Sequence, residues 1–170
     1  MPPREPAVTA DDATARLIAR LRETGRTIAA AESLTGGELT AELTRVPGAS
    51  AVVVGGAVVY ATALKHSLLG VDAELLAAEG PVHPRVAAEL AEGVRERLAV
   101  DGRMVDVGVA TTGVAGPDPQ GGRPVGTVFV GIATESGTRV VELALTGDRA
   151  RIRRTTVERA IAELVVETGA

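Results

Sequence analysis

The chain has no cysteine and no tryptophan, and only one phenylalanine, one tyrosine and two histidines in 170 residues. Without cysteine there is no disulfide, no thiol nucleophile and no cysteine-ligated metal. The two histidines, His66 and His83, lie far apart in sequence, which supplies neither a Ser-His-Asp triad nor a zinc site of several imidazoles well. With so few aromatics, the core has to be built from Val, Leu, Ile and Ala. The net charge of −4 argues against a broad basic surface for nucleic acid, so no direct nucleic-acid partner is expected. The longest apolar stretch, 49–61, is broken by Gly55-Gly56 and is too short to span a membrane. The polar, proline-rich start, MPPREPAVTADD, does not resemble a signal peptide. A cytoplasmic protein with no membrane partner is the expectation.

Lysine is nearly missing as well. There are 17 arginines but one lysine, Lys65, and it follows the sole tyrosine, Tyr60, by five residues. Arginine holds its proton in a protein, whereas a desolvated lysine can release it. Both residues fall within VVYATALKH, so proton chemistry is a reason to look there. Chance survival of two rare residue types is the plain alternative.

What is present reads as alternating helices and strands. A helix over 11–24 is expected to be capped by Thr9 or Asp11. Its buried stripe would be Ala13, Leu17, Ile18 and Leu21, with Gly25 as the stop. A strand at 27–31 leads through the turn 32–37 into a helix at 37–45. Residues 51–60 read as a continuous buried strand in which Gly55-Gly56 marks a bulge or a close backbone approach. Short helices follow at 62–69 and 72–79. A longer amphipathic helix at 84–100 carries Val86, Leu90, Val94 and Leu98 on one face.

Next come a strand at 105–111 and a Gly/Pro loop at 113–124. Strands at 125–134 and 139–146 form a hairpin across Glu135-Ser136-Gly137. The closing helix, 148–167, turns Ile152, Val157, Ile161 and Leu164 inward. The expected fold is a three-layer α/β/α sandwich with a mixed, mostly parallel sheet. It forms one domain over 10–170, and residues 1–9 read as a disordered lead-in.

Three segments could carry chemistry. In Ala31-Glu32-Ser33-Leu34-Thr35-Gly36-Gly37 a serine stands between a strand and a helix start, where free backbone N–H groups could hold an oxyanion or a phosphate. An ordinary serine cap followed by a glycine turn fits the same residues. In the second segment, Lys65 could serve as a general base, since serine activated by lysine is an established alternative to Ser-His-Asp. Equally, Tyr60 could simply end a strand and Lys65 lie solvated on a helix. The third is the loop Thr112-Gly113-Val114-Ala115-Gly116-Pro117, which follows a strand as ligand loops do in open α/β sheets, or is a plain connection. Gly147-Asp148-Arg149, leading into Arg151, Arg153 and Arg154, could add an anion site or be a solvated helix face.

Taken in order, AESLTGG, PGAS, GG-x-x-x-Y-x-x-x-x-K, TGVAGP…GG…PVGTV and GDRARIR resemble the CinA carboxy-terminal domain family, from about residue 27 to 165. The resemblance implies an α/β/α fold with a mixed sheet, a homodimer or higher homo-oligomer, and deamidation of nicotinamide mononucleotide to nicotinic acid mononucleotide and ammonia. Longer relatives carry a further N-terminal domain resembling molybdopterin-binding proteins, so this chain reads as a stand-alone amidase. By the same resemblance Ser33 is the nucleophile, and Tyr60 and Lys65 are its catalytic partners.

Thr35, Gly36, Gly37, Ser50, Thr112, Gly113, Ala115, Gly116 and Arg149 would then hold the nucleotide and the oxyanion. Lys65 would take the serine proton either directly or through Tyr60. No metal and no organic cofactor is called for. The chain departs from the family pattern at Leu34, where cysteine is usual, at Ala49, where a first serine is usual, and at Thr62, where asparagine is common. The alternative function is a non-catalytic pyridine-nucleotide-binding or competence- and damage-associated regulatory protein.

Overall fold

The computed structural model describes residues 12–170. The expected lead-in, 1–9, and the expected caps Thr9 and Asp11 lie outside the described residues. Helix α1 (Ala13–Thr24) is capped by Asp12, whose carboxylate accepts from the Ala15 N–H, and Gly25 closes it in the left-handed conformation. Leu17, Ile18 and Leu21 are buried as expected. The fourth buried position is Thr14 rather than Ala13, because the Thr14 hydroxyl donates to Glu42 across to the next helix.

Beyond α1 the order is β1 (Ile28–Glu32), α2 (Glu38–Thr44), β2 (Val53–Val58), α3 (Thr62–Leu69), α4 (Ala73–Glu79), α5 (Pro84–Arg97), β3 (Val107–Gly113), β4 (Thr127–Thr134), β5 (Gly137–Ala144) and α6 (Arg149–Thr168). Each longer helix starts where its sequence supplies a cap: His83 with Pro84 at the first position for α5, and Asp148 for α6. These choices satisfy N–H groups that no helical carbonyl can reach.

The five strands form one sheet in the order β2-β1-β3-β4-β5. β1 runs parallel to both β2 and β3, and the β3–β4 and β4–β5 ladders are antiparallel. Strands β1, β2, β3 and β5 therefore point one way and β4 alone points back, which makes the sheet mixed and mostly parallel by direction. Along β1 the side chains alternate between faces. Ile28 and Ala30 join Leu17, Leu39, Ile152 and Leu164 on the side of α1, α2 and α6. Ala29 and Ala31 join Leu69, Leu75, Leu90 and Val94 on the side of α3, α4 and α5. This is the three-layer α/β/α sandwich expected from the sequence.

α5 lies against the backbone of the central strands. A Cβ on Gly108 would overlap the Ala91 carbonyl, and one on Gly131 would overlap that of Ala87.

One strand differs from expectation. β2 is not a buried central strand but an edge, paired only with β1, and its residues are half-buried or exposed. Its unbroken Val/Ala/Gly run looked like a strand covered on both sides, but it has one strand neighbour, β1, and packs against the short helix α2. The register irregularity falls at Val54, immediately before Gly55-Gly56, as the β1–β2 pairing steps from Val53 to Gly55 between Ile28 and Ala29, and Gly56 is where the Thr40 side chain comes close.

Because four strands share a direction, four connections gather at one end of the sheet. These are the turn after β1, the residues after β2, the glycine loop after β3 and the start of α6 after β5. Ligands of open α/β sheets bind at this carboxyl edge.

Candidate active site

Ser33 directly follows β1. Its N–H donates to Thr111 O on β3, and Val59 N–H donates to Glu32 O, so the ladders on both sides of β1 run up to the serine. The chain then turns sharply through Gly36 (φ +58°) and Gly37 (φ +104°), angles that glycine adopts without steric cost. Helix α2 begins at the next residue. Ser33 is 9% exposed.

The start of α2 is capped by Glu32, a fully buried carboxylate. Oε2 of Glu32 accepts from the N–H groups of Gly37 (3.0 Å) and Leu39 (3.0 Å). Oε1 accepts from the Thr40 N–H (2.8 Å) and the Thr40 hydroxyl (2.6 Å). Four donors around one carboxylate are what a buried charge requires.

This arrangement alters the expected oxyanion site. The Gly37 N–H is taken by Glu32, and the Gly36 N–H donates to Ser33 O, so neither glycine is free to meet an oxyanion. Among the described residues, the N–H groups of Leu34 and Thr35 have no acceptor. The free donors thus stand immediately after the serine. The Thr35 hydroxyl is buried against that of Thr111 (2.8 Å), which leaves its backbone as its contribution.

Lys65 projects from α3 to the same point. It is 1% exposed, and its ammonium Nζ donates to Val59 O at 2.7 Å and to Ser33 Oγ at 3.1 Å. Among the described residues no carboxylate pairs with it. Burial therefore acts unopposed and lowers its pKa to about 8, because desolvation penalises the charged form. A neutral Lys65 can reverse the 3.1 Å contact and accept the serine proton.

Tyr60 is brought to the cavity but not to the serine–lysine pair. It is 60% exposed, and its hydroxyl accepts from Arg149 Nη2 at 3.0 Å. Arg149 also donates through Nη1 to Gly116 O at 2.8 Å, so it links the tyrosine to the glycine loop. Ser33, Leu34, Tyr60, Lys65, the 112–116 loop and Arg149 line one cavity of about 130 Å³. Gly113, Ala115 and Gly116 present backbone there, whereas the Thr112 hydroxyl is spent on Pro81 O (2.6 Å). Pro81, Val82, Asp118 and Gln120 complete the wall. Sequence reasoning did not select these four, since only the fold brings them to the opening.

Ser50 is not brought to this cavity. It precedes β2 whereas Tyr60 follows it, which puts the two at opposite ends of a strand. Ser50 instead borders a separate groove with Arg45 and Gly48.

Arg153, one turn into α6, is turned to the backbone of the turn after Ser33 and not to the cavity. Its Nε donates to Leu34 O (3.0 Å), its Nη2 donates to Thr35 O (3.2 Å), and it pairs with Glu38 at 2.7 Å. No His/Cys/Asp/Glu cluster able to hold a metal occurs among the described residues, and no helix among them is long and apolar enough to cross a membrane.

Fold and site together define an α/β/α protein with a serine–lysine pair at the carboxyl edge of its sheet. The profile of the CinA C-terminal domain matches residues 10–167, and the chain belongs to that family. It is 56% identical over 127 residues to a CinA-like protein of Frankia casuarinae, a match covering 75% of this chain and 28% of that one. The crystal structure of a competence-damaged protein (CinA) superfamily protein from Enterobacter cloacae aligns with a TM-score of 0.87 at 28% identity, over 98% of this chain and 96% of that one. The competence/damage inducible protein CihA from Agrobacterium tumefaciens aligns with a TM-score of 0.82 at 30% identity, over 96% and 100%. The chain spans about a third of the length of the curated relatives it matches.

Proposed function

We propose that this chain hydrolyses the carboxamide of nicotinamide mononucleotide, giving nicotinic acid mononucleotide and ammonia through an acyl-enzyme on Ser33. The observation that carries the reading is the 3.1 Å contact between Ser33 Oγ and a lysine amine that has no carboxylate partner among the described residues and whose pKa is lowered to about 8. A buried lysine is costly to keep, and a base poised near working pH is what repays that cost in a hydrolase.

Neutral Lys65 takes the Ser33 proton as Oγ attacks the carboxamide carbon. The oxyanion is met by the Leu34 and Thr35 N–H groups, each worth about 3 kcal/mol in a preorganised site. Collapse breaks the C–N bond, and the Lys65 ammonium returns its proton to the departing nitrogen, releasing ammonia. Water, deprotonated by Lys65, then cleaves the ester and regenerates Ser33. In this scheme Lys65 acts on the serine directly. Tyr60 orients Arg149, and Arg149 receives the 5′-phosphate beside the N–H groups of the glycine loop.

A nucleotide-binding or regulatory module without turnover would use Arg149 and the glycine loop in the same way but has no need of a buried lysine against a serine. The test is ammonia release from nicotinamide mononucleotide, with free nicotinamide and other pyridine nucleotides as comparators. Wild type should release ammonia, and Ser33→Ala and Lys65→Arg should not, since arginine keeps the charge but accepts no proton. Tight binding of the nucleotide without ammonia release would sink the hydrolytic reading. Wild-type turnover in Lys65→Arg would remove lysine from it.

A further inference from the structure

The nucleophile turn is gripped from two sides by charged groups that touch neither Ser33 Oγ nor Lys65. Glu32 takes N–H groups on the α2 side of the turn. Arg153, reaching over from α6, takes two successive carbonyls, Leu34 O and Thr35 O. The Arg153 side chain does not border the Ser33 cavity. It borders a groove on the α1–α2–α6 side together with Arg154 and Glu42. Gly36 makes room for it, since a Cβ there would stand 3.3 Å from Nη2.

A trans peptide unit is planar, with its N–H opposite its C=O. Fixing a carbonyl on one side of a turn therefore fixes the direction of the next residue's N–H on the other. The Leu34 carbonyl points to Arg153, so the Thr35 N–H points away from it, to the other side of the turn. That N–H belongs to a fully buried residue and has no acceptor among the described residues. Buried N–H groups without an acceptor are rare in folded proteins. One standing beside a serine is suited to an anion that exists only during reaction. The Leu34 N–H is aimed in the same manner by the bond from Gly36 N–H to Ser33 O.

We propose that Arg153 is a positioning residue: by holding the Leu34 carbonyl, with Thr35 O as its second anchor, it aims the Thr35 N–H, beside that of Leu34, at the oxyanion formed on Ser33. This rests on the acyl-transfer reading of Ser33 but not on the identity of the amide. Arginine suits the task because its planar fork spans two neighbouring carbonyls. The Glu38 carboxylate holds the fork from behind.

The test compares Arg153→Met, Arg153→Lys and Glu38→Gln with wild type in two assays. One is ammonia release from nicotinamide mononucleotide. The other is the burst of p-nitrophenolate from p-nitrophenyl acetate, which reports acylation of Ser33 whatever the natural amide is. Ser33→Ala sets the zero of both. A mis-aimed oxyanion donor weakens the transition state and not the bound substrate. Arg153→Met should therefore lower kcat and the burst rate by between about 10- and 100-fold, with KM within about twofold, on the scale expected for a slight misplacement of catalytic geometry. The pH midpoint of the rate should stay where Lys65 sets it.

Lysine can reach one carbonyl but not both, so Arg153→Lys should fall between Arg153→Met and wild type. It also serves where Arg153→Met does not fold. Glu38→Gln removes the ion pair and keeps both carbonyl bonds, so it should remain within about twofold of wild type.

The proposal is overturned if folded Arg153→Met or Arg153→Lys keeps the wild-type burst rate. It is equally overturned if Glu38→Gln loses as much as Arg153→Met, which would make the ion pair the whole effect. If wild type gives a burst but no ammonia, the proposed substrate fails, and the burst series still decides the role of Arg153.

Discussion

A single buried amine, Lys65 Nζ, carries both the chemistry proposed for this site and a cost to the fold. Its pKa of about 8 against an ordinary value of 10.5 means that the unfolded chain binds more protons than the folded one between those two values. Stability contributed through this residue therefore rises as pH climbs from about 8 to 10.5. Below pH 8 the whole penalty of a buried ammonium is present, about 3 kcal/mol from the size of the shift. Lys65→Met removes that penalty but leaves Val59 O without its donor, for a net gain of about 2 kcal/mol or roughly 4–8 °C in melting temperature at neutral pH. The gain should shrink when melts are repeated between pH 8 and 10.5, and a constant offset would mean that Lys65 is not the source. Under the proposed mechanism kcat/KM of the wild-type chain should rise about tenfold per pH unit below 8 and level off above it. Tyr60 has a different task, because its hydroxyl meets Arg149 and not Ser33. Steady-state kinetics of Tyr60→Phe should accordingly show KM raised by about 3- to 10-fold, the scale of one hydrogen bond to a charged group, and kcat little changed.

At the level of elements, the joint between β1 and α2 is fixed by the Glu32 carboxylate. Glu32→Gln puts an amide nitrogen, a donor, where the surrounding donors need an acceptor, and removes the charge that complements the helix start. Urea unfolding should show a loss of about 2–3 kcal/mol, the cost of leaving buried donors unmatched. How much of this joint the sequence revealed depends on how local each feature is. The stripe Leu17, Ile18, Leu21 and the face Val86, Leu90, Val94 follow from helical period and were legible, whereas their caps, Asp12 and His83, were not singled out. The turn at Ser33 was legible as a turn because Gly36 and Gly37 follow the serine. The meeting of Ser33 with Lys65 came from resemblance, since nothing in the spacing of the two residues brings them together. The tasks of Glu32 and Arg153 were not legible at all. Arg153 arrives only after the chain has crossed between layers, whereas Glu32 folds back onto the turn beside it; the Gly36 and Gly37 N–H groups looked free because their acceptors, Ser33 O and the Glu32 carboxylate, depend on how that turn closes. β2 misled for a related reason: a Val-rich run reads the same at the edge of a sheet as at its centre, and only strand order separates them.

Considered whole, the molecule delivers four connections to one edge of its sheet and leaves one cavity there that contains the serine, the amine and Arg149. A nucleotide that occupies it should stabilise the entire fold. At a hundredfold excess over Kd the gain is about 2.7 kcal/mol, or roughly 5–11 °C in melting temperature for a chain of this size. Differential scanning fluorimetry with nicotinic acid mononucleotide should show such a shift for wild type and for Ser33→Ala, and a much smaller one for Arg149→Met. An equal shift in Arg149→Met would place the phosphate elsewhere. The strand order has one more consequence, in the time at which the site comes into being. β1 is flanked by β2 and β3, both of which lie later in the chain, and the Ser33 N–H is held by Thr111. A chain leaving the ribosome thus carries its serine as an ordinary side chain until the third strand has been made. On the acyl-transfer reading, the serine would gain its setting only once β3 has been made.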